Sequence, residues 1–310
     1  MKSIPFYKMC GAGNDFILID NRTGVMDELT LIELIKGVCR HKLSVGADGV
    51  ILIENSDTVD FRWRFFNADA SVAEMCGNGA RCAARMACML GIAQTRVRFE
   101  TIAGIIDAEV APGGQVKIRL TDPSEARVNF PVALSTGIST ISSINTGVPH
   151  VVIEMEDVAH APVRDMGREV RYHNDFSPAG TNVNFVSKQT DGMLAVRTYE
   201  RGVENETLAC GTGATASALI MAHRHGLTSP VRLTTKSGSI LTIYFEQKDG
   251  RFYNLYLEGD ARLIYTAQLN EEAWSGENTR VTLVRMPSVA SCLTALIPST
   301  VMGILTTILV

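Results

Sequence analysis

The sequence predicts an α+β fold of two pseudo-symmetric lobes from an internal duplication. Each lobe is expected to be a strongly curved mixed or antiparallel sheet, barrel-like, around a central apolar helix, with a functional site in the cleft between them. Three observations lead there. Cys76-Gly-Asn-Gly-Ala80 returns as Cys210-Gly-Thr-Gly-Ala214, 134 residues later, and from 76 to 106 ten of thirty-one positions are identical at that shift. Each copy runs into an apolar stretch of helical length and then into three strand-like segments. Strands outnumber helices and do not alternate with them as a doubly wound sheet demands. A tandem pair of like units sets equivalent groups about a pseudo-twofold axis.

Phe6 to Asp20 reads as a strand, a Gly11-Ala-Gly13 turn and a second strand, Phe16-Ile-Leu-Ile19. Glu28 to Arg40 is expected as an amphipathic helix with Leu31, Leu34, Ile35 and Val38 on one face. Gly46 to Gly49 is a turn before the apolar strand 50–53, and 61–66 alternates Phe61, Trp63 and Phe65 against Arg62 and Arg64. From Ala80 to Leu90 a largely apolar helix stops at Gly91, and strands are expected at 97–101, 105–110 and 116–120. The second half repeats the plan. It has a strand at 194–199, a helix at 214–223 closed near Gly226, and strands at 231–235, 240–245 and 254–257. The expected organisation is an N-terminal lobe 1–121, a C-terminal lobe 122–262, a return strand 263–274 to the first lobe, and an apolar tail 275–310. Trp274 to Asn278 looks like a break, and residues 286–310 carry no charge apart from the chain terminus. That run is long enough to contact or span a membrane, but Pro298 and Gly303 interrupt it, so a tail packed on the protein or poorly ordered is preferred and its role stays open.

With 310 residues, 46% of them apolar, burying a core is easy, and a net charge of −4 without basic patches excludes binding nucleic acid by phosphate neutralisation. Seven irregularly spaced cysteines suit reduced thiols in the cytoplasm, and no Cys/His group has zinc spacing. No secretory leader is legible at Met1. The sequence leaves a homodimer open.

Cys76 and Cys210 each precede a Gly-x-Gly-Ala run that starts a helix. Bare backbone N–H groups and the positive end of the helix dipole lie at such a terminus. They stabilise a thiolate and can hold a carboxylate beside it. Two such termini facing each other suit inversion at a carbon, where one base removes a proton and its twin delivers one to the opposite face. An isolated cysteine beside glycine is more often a packing residue; the pairing in a repeat argues otherwise.

Five blocks then resemble the diaminopimelate epimerase family, in order. They are Lys8-Met-Cys-Gly-Ala-Gly-Asn-Asp-Phe16, Phe66-Asn-Ala-Asp69 with Met75-Cys-Gly-Asn-Gly-Ala-Arg-Cys82, Gly147-Val-Pro-His150, Thr181-Asn-Val-Asn-Phe185, and Tyr199-Glu-Arg-Gly202 with Glu206-Thr-Leu-Ala-Cys-Gly-Thr-Gly213. They span residues 6 to about 266, and the tail lies outside the resemblance. Val148 stands where the family often carries asparagine. The resemblance implies an epimerase without cofactor or metal, acting on LL- and meso-2,6-diaminopimelate on the way to lysine. It implies Cys76 and Cys210 as the acid/base pair. Asn78 and the amides of Gly77, Gly211 and Thr212 would hold the reacting end's carboxylate, and Asn14, Asn67, Asn182, Glu200 and Arg201 would read the far end of the substrate. Strand alternation would point Glu200 and Arg201 to opposite sides, so that one of them acts through its backbone or sits at the strand's end. His150, expected in a Val148-Pro-His150 turn between apolar strands, either lines the site or satisfies a local hydrogen bond.

Other readings stay open on sequence. A two-cysteine proline or hydroxyproline racemase would have no use for a distal clamp such as Glu200 and Arg201. A dithiol redox protein is disfavoured by the lack of a Cys-x-x-Cys motif. A membrane-tethered binding protein would have kept the fold and lost the activity.

Overall fold

The computed structural model describes residues 3–275. The apolar run 286–310 lies outside the described residues, so the expectation about membrane contact does too. Among the described residues no helix is long and apolar enough to cross a membrane.

In the first half, β1 (Ile4–Gly11) and β2 (Asn14–Asp20) form a hairpin, then α1 (Leu31–Val38) crosses over to β3 (Gly49–Glu54), which lies parallel to β2. β4 (Phe61–Asn67) pairs antiparallel with β3; α2 (Gly77–Met89) then leads to β5 (Arg96–Thr101), parallel to β4. β6 (Gly104–Val110) and β7 (Gln115–Arg119) complete an antiparallel meander. The second half has β8 (Ser124–Leu134), β9 (Gly137–Asn145), β10 (Pro149–Glu154), α3 (Val163–Arg171), β11 (Asn182–Lys188), β12 (Leu194–Glu200) and β13 (Asn205–Thr207). After these come α4 (Gly211–His225), β14 (Val231–Thr234), β15 (Ile240–Lys248), β16 (Arg251–Asp260) and β17 (Arg262–Leu269).

The pairings repeat strand for strand. β9–β10 is antiparallel as β1–β2 is, β10–β11 parallel as β2–β3, β11–β12 antiparallel as β3–β4, and β12–β14 parallel as β4–β5. β17 lies against β1 as β8 lies against β9. β7 and β16 pair antiparallel and join the two halves into one sheet, with Ile118 opposite Leu257.

Alternation decides which helix each strand face meets. On β2 and β3, Phe16, Leu18, Ile51 and Ile53 point into the core around α2 and α4, while Ile17, Ile19, Val50 and Leu52 point into a second core under α1. On β10 and β11, Val152 and Val186 face the α4 side, while Val151, Ile153, Val183 and Phe185 face α3. Strands buried on both faces read as unbroken apolar runs, as 50–53 does. α2 and α4 are buried on nearly every side by small residues, Ala80, Ala83, Ala84 and Ala87 in one and Ala214, Ala216, Ala218 and Ala222 in the other. α2 ends in a left-handed Gly91 (φ 70°), with Ile92 N–H reaching Ala87 O at 2.9 Å, a glycine stop of the kind the sequence implied.

Three expectations change. The helix expected over 28–40 spans only Leu31–Val38, because Asp27 folds the preceding residues into a turn: its carboxylate accepts from Leu29 N–H at 3.0 Å and its carbonyl from Thr30 N–H at 3.1 Å. α2 and α4 each begin three residues earlier than expected, at Gly77 and Gly211, so the glycines are the first helical turn and not a loop before it. His150 is in strand β10; the turn lies before it, at Thr146–Val148.

Candidate active site

Cys76 and Cys210 are both in extended conformation (φ −144° and −124°) at the N-caps of α2 and α4, and neither thiol makes the usual side-chain cap. The exposed helix amides are therefore free to face sulfur and ligand. The two termini meet one side chain. A Cβ built on Gly77 would lie 3.5 Å from Leu257 Cδ2, and one built on Gly211 would lie 2.8 Å from the same methyl. Leu257 thus stands between the two helix starts, in the β7–β16 pairing that relates the halves. A side chain at 211 would displace that leucine methyl.

Both thiols are free and partly accessible. Burial pushes both up, Cys210 to about 12. At Cys76 the N–H groups of Gly79 and Asn78 oppose that shift, as does the guanidinium of Arg81; at Cys210 the Thr212 hydroxyl and Gly213 N–H do the same. The charge of Glu200 raises both thiols, and Cys76 is felt at Cys210. One carboxylate therefore acts on both sulfurs. Glu200 is the last residue of β12 and half-buried; burial pushes its own carboxyl up, with Thr207 opposing.

On the first half's side, Asn14 and Asn78 come together: Asn78 Nδ2 donates to Asn14 Oδ1, whose own Nδ2 donates to Asp48 at 2.9 Å. Arg81 Nη2 donates to Asn78 Oδ1 at 2.8 Å, and the same fully buried guanidinium reaches Asp260 O at 3.1 Å and Gly77 O at 3.3 Å. Asn67 ends β4, exposed, with Nδ2 on Ser71 Oγ at 2.9 Å; no hydrogen bond ties it to Asn14 or Asn78. On the second half's side, Asn182 Oδ1 accepts the N–H of Arg201 at 2.9 Å, and its Nδ2 donates to Pro149 O at 3.1 Å. Arg201 follows β12 in a turn. Its guanidinium touches Ala179 O at 3.3 Å, and among the described residues no carboxylate pairs with it.

His150 is buried and reaches the site through Thr212: its Nε2 is 2.9 Å from Thr212 Oγ1, which is 3.5 Å from Cys210 Sγ. Burial, with a smaller contribution from Arg201, holds the imidazole at about 3. An unfolded histidine takes up a proton below about pH 6.5, whereas the folded one stays neutral to about 3. The unfolded state then binds the extra proton, so native stability falls as pH drops through that window, by about 1.4 kcal/mol per pH unit. His150→Gln is expected to remove that much of the slope of unfolding free energy against pH, measured by urea melts between pH 4 and 7.

Arg81, Asn184 and Asp48 were not singled out by the sequence reasoning. Arg81 had a partial signal: it and Arg85 are the two guanidinium groups of a helix whose later turns are otherwise Ala, Met and Cys, and nothing in the sequence separated one from the other. Asn184 and Asp48 had none, since their roles depend on strand pairing. Among the described residues no three His, Cys, Asp or Glu side chains converge on a metal position. A surface groove of about 530 Å³ runs past Arg62, Trp63, Ile102 and Ile105; its lining includes no residue of α2 or α4.

A family model described as diaminopimelate epimerase matches residues 6–125 and 142–264. The chain is 45% identical over 280 residues to the diaminopimelate epimerase of Aquifex aeolicus, an alignment covering 87% of this chain and 99% of that protein. It is 43% identical over 248 residues to that of Archaeoglobus fulgidus, covering 76% and 87%. Among solved structures, the fold is similar to a Bacillus anthracis phenazine biosynthesis protein of the PhzF family (TM-score 0.68, 14% identity, covering 87% of this chain and 100% of that one). It is also similar to a hydroxyproline epimerase from Agrobacterium vitis (TM-score 0.63, 15% identity, covering 87% and 93%).

Proposed function

The chain belongs to the diaminopimelate epimerase family, and from that premise we propose that Cys76 and Cys210 are the two bases with which it interconverts LL- and meso-2,6-diaminopimelate. It is an isomerase, and the reaction is a step toward lysine. The observation that carries the assignment is the convergence of two cysteine-capped helix starts on Leu257.

One sulfur, as thiolate, takes the α-hydrogen, and the other, as thiol, protonates the opposite face; the roles exchange with direction. The negative charge that builds on the α-carboxylate is met by the first amides of α2 and α4, aimed where that charge develops. Glu200 is expected beside the ammonium of the reacting carbon and not at the far end, because its charge reaches both sulfurs. In the empty site Glu200 raises both thiols. A bound ammonium cancels that field, so the substrate itself helps generate the thiolate. Arg201, paired with no carboxylate among the described residues, is suited to a second carboxylate, with Asn182 fixing the backbone from which it springs. Asn14 and Asn67 complete that distal clamp in this reading, and the reduced thiols it requires suit a reducing compartment such as the cytoplasm.

The test is to incubate the full chain with LL-diaminopimelate in heavy water. Deuterium at the α-carbon together with appearance of the meso isomer is expected, and no exchange with proline. Exchange with proline and none with diaminopimelate would overturn the substrate assignment.

A further inference from the structure

The two halves repeat the same strand pairings, yet their cysteines do not sit in the same surroundings. By the repeat, Thr212 occupies the place of Asn78 and Thr215 that of Arg81. By strand pairing, His150 stands opposite Asn182 as Phe16 stands opposite Gly49, which makes Asn184 the counterpart of Ile51. The glycine at the third helical position agrees with the match in space: a Cβ on Gly79 would meet Ile51 Cδ1, and one on Gly213 would meet Asn184 Oδ1. A polar chain in one half thus replaces apolar packing in the other.

That chain has a fixed direction. Asn184 is fully buried. Its Oδ1 accepts from Thr198 Oγ1 at 2.9 Å, and its Nδ2 donates to Val151 O at 2.9 Å. A carbonyl can only accept, so the amide orientation is set. The second hydrogen on Nδ2 points at His150 Nδ1, 3.0 Å away. That ring nitrogen must therefore be the bare acceptor, and the neutral imidazole carries its proton on Nε2. Nε2–H then donates to Thr212 Oγ1 at 2.9 Å, and the hydroxyl's one proton is left to face Cys210 Sγ at 3.5 Å.

We propose that Asn184 is a positioning residue: it locks His150 in the Nε2–H tautomer, so that the Thr212 hydroxyl is always a donor to Cys210. The inference rests on Cys210 being one of the bases. It gives the two sulfurs different supports, an uncharged hydrogen-bond relay for Cys210 and a buried guanidinium, Arg81, for Cys76. With the opposite tautomer the hydroxyl would donate to His150, and the Cys210 thiolate would lose its donor. Cys210 also faces Glu200, Cys76 and the Gly213 N–H, and His150 faces Arg201, so each of these contributes to the titration behaviour of the relay.

The test uses the full chain labelled with ¹⁵N-histidine, with His150→Gln to assign the signal. Long-range ¹H–¹⁵N correlation between pH 5 and 9 is expected to show His150 protonated on Nε2 and bare on Nδ1. In a Cys76→Ala background, the pH dependence of Cys210 alkylation, followed on its own peptide by mass spectrometry, reports the thiolate. Asn184→Leu is expected to shift His150 toward the Nδ1–H form and to lower the Cys210 thiolate fraction at a given pH roughly three- to tenfold. Thr212→Val should give the same loss with the tautomer unchanged, and the double variant no more than either alone. His150 protonated on Nδ1 in the parent protein, or a Cys210 profile unmoved in Thr212→Val, overturns the proposal. A failed diaminopimelate assay alongside the expected tautomer would fault the substrate reading and leave the relay standing.

Discussion

Cys76→Ala and Cys210→Ala are each expected to abolish net epimerisation, with kcat/KM falling by about 10³-fold or more, since a positioned acid or base contributes ~10²–10⁴-fold and here each is obligatory in one direction. The informative part is what remains. If the sulfurs lie on opposite faces of the reacting carbon, the surviving one can still remove and return a proton on its own face. Each variant should then exchange the α-hydrogen slowly with solvent deuterium from one stereoisomer and not the other, and the two variants should show opposite preferences. The double variant should exchange neither, and its loss of epimerisation should not exceed that of the worse single variant, because the two groups act as a unit. Proton NMR of both isomers in heavy water reads all of this. A single variant that keeps a tenth of the parent's epimerisation, or two variants that exchange the same isomer, would sink the two-base assignment.

The duplicated parts of the chain were legible because chemistry constrains them twice. Cysteine, glycine, x, glycine, alanine is what a helix start needs in order to present sulfur and bare amides to a ligand, and both halves retain it. The elements upstream of each cysteine repeat just as closely in space: β9, β10, α3 and β11 have the pairings of β1, β2, α1 and β3. They left no matching signal in sequence, because a strand needs only an apolar pattern, and many residues satisfy it. α3 escaped notice for that reason, with Val163 and Val170 buried on a short helix otherwise largely charged. Individual site residues were legible where a block of sequence carried them. Their directions were not. That Glu200 ends a strand and Arg201 begins a turn depends on where β12 stops, and that His150 touches Thr212 depends on β10 passing beside the start of α4. Alternation left two ways for those neighbours to serve one site, through a backbone group or from a strand's end, and Glu200 does end β12.

Arg81→Met is expected to cripple the enzyme while leaving the fold close to its original stability, and the opposing magnitudes explain why. The Arg81 guanidinium is fully buried, bonded to two carbonyls and an amide oxygen, and among the described residues no carboxylate comes within ion-pair distance. Taking a charge out of water without a counter-ion costs several kcal/mol. Methionine removes that cost, but leaves three acceptors with one partner fewer, at roughly 1–3 kcal/mol each. The two nearly offset, so stability is a poor reason for arginine to stand there. Electrostatics is a better one: the guanidinium lowers the Cys76 thiol, and its fixed donor to Asn78 Oδ1 turns that amide's Nδ2 toward Asn14. Without it, the Cys76 alkylation profile should move up, the direction set by loss of a positive charge that favours the thiolate. The Cys210 profile supplies the internal control. There the equivalent position is Thr215, whose hydroxyl donates to Gly211 O at 2.9 Å where Arg81 reaches Gly77 O, and no charge is present to lose. A fall in kcat/KM of about 10² or more, with a melting temperature within a few degrees of the parent and only Cys76 shifted, is the expected pattern. Equal shifts at both cysteines, or a collapse of the melting temperature, would show that Arg81 holds the core together and that the asymmetry between the two bases has another source.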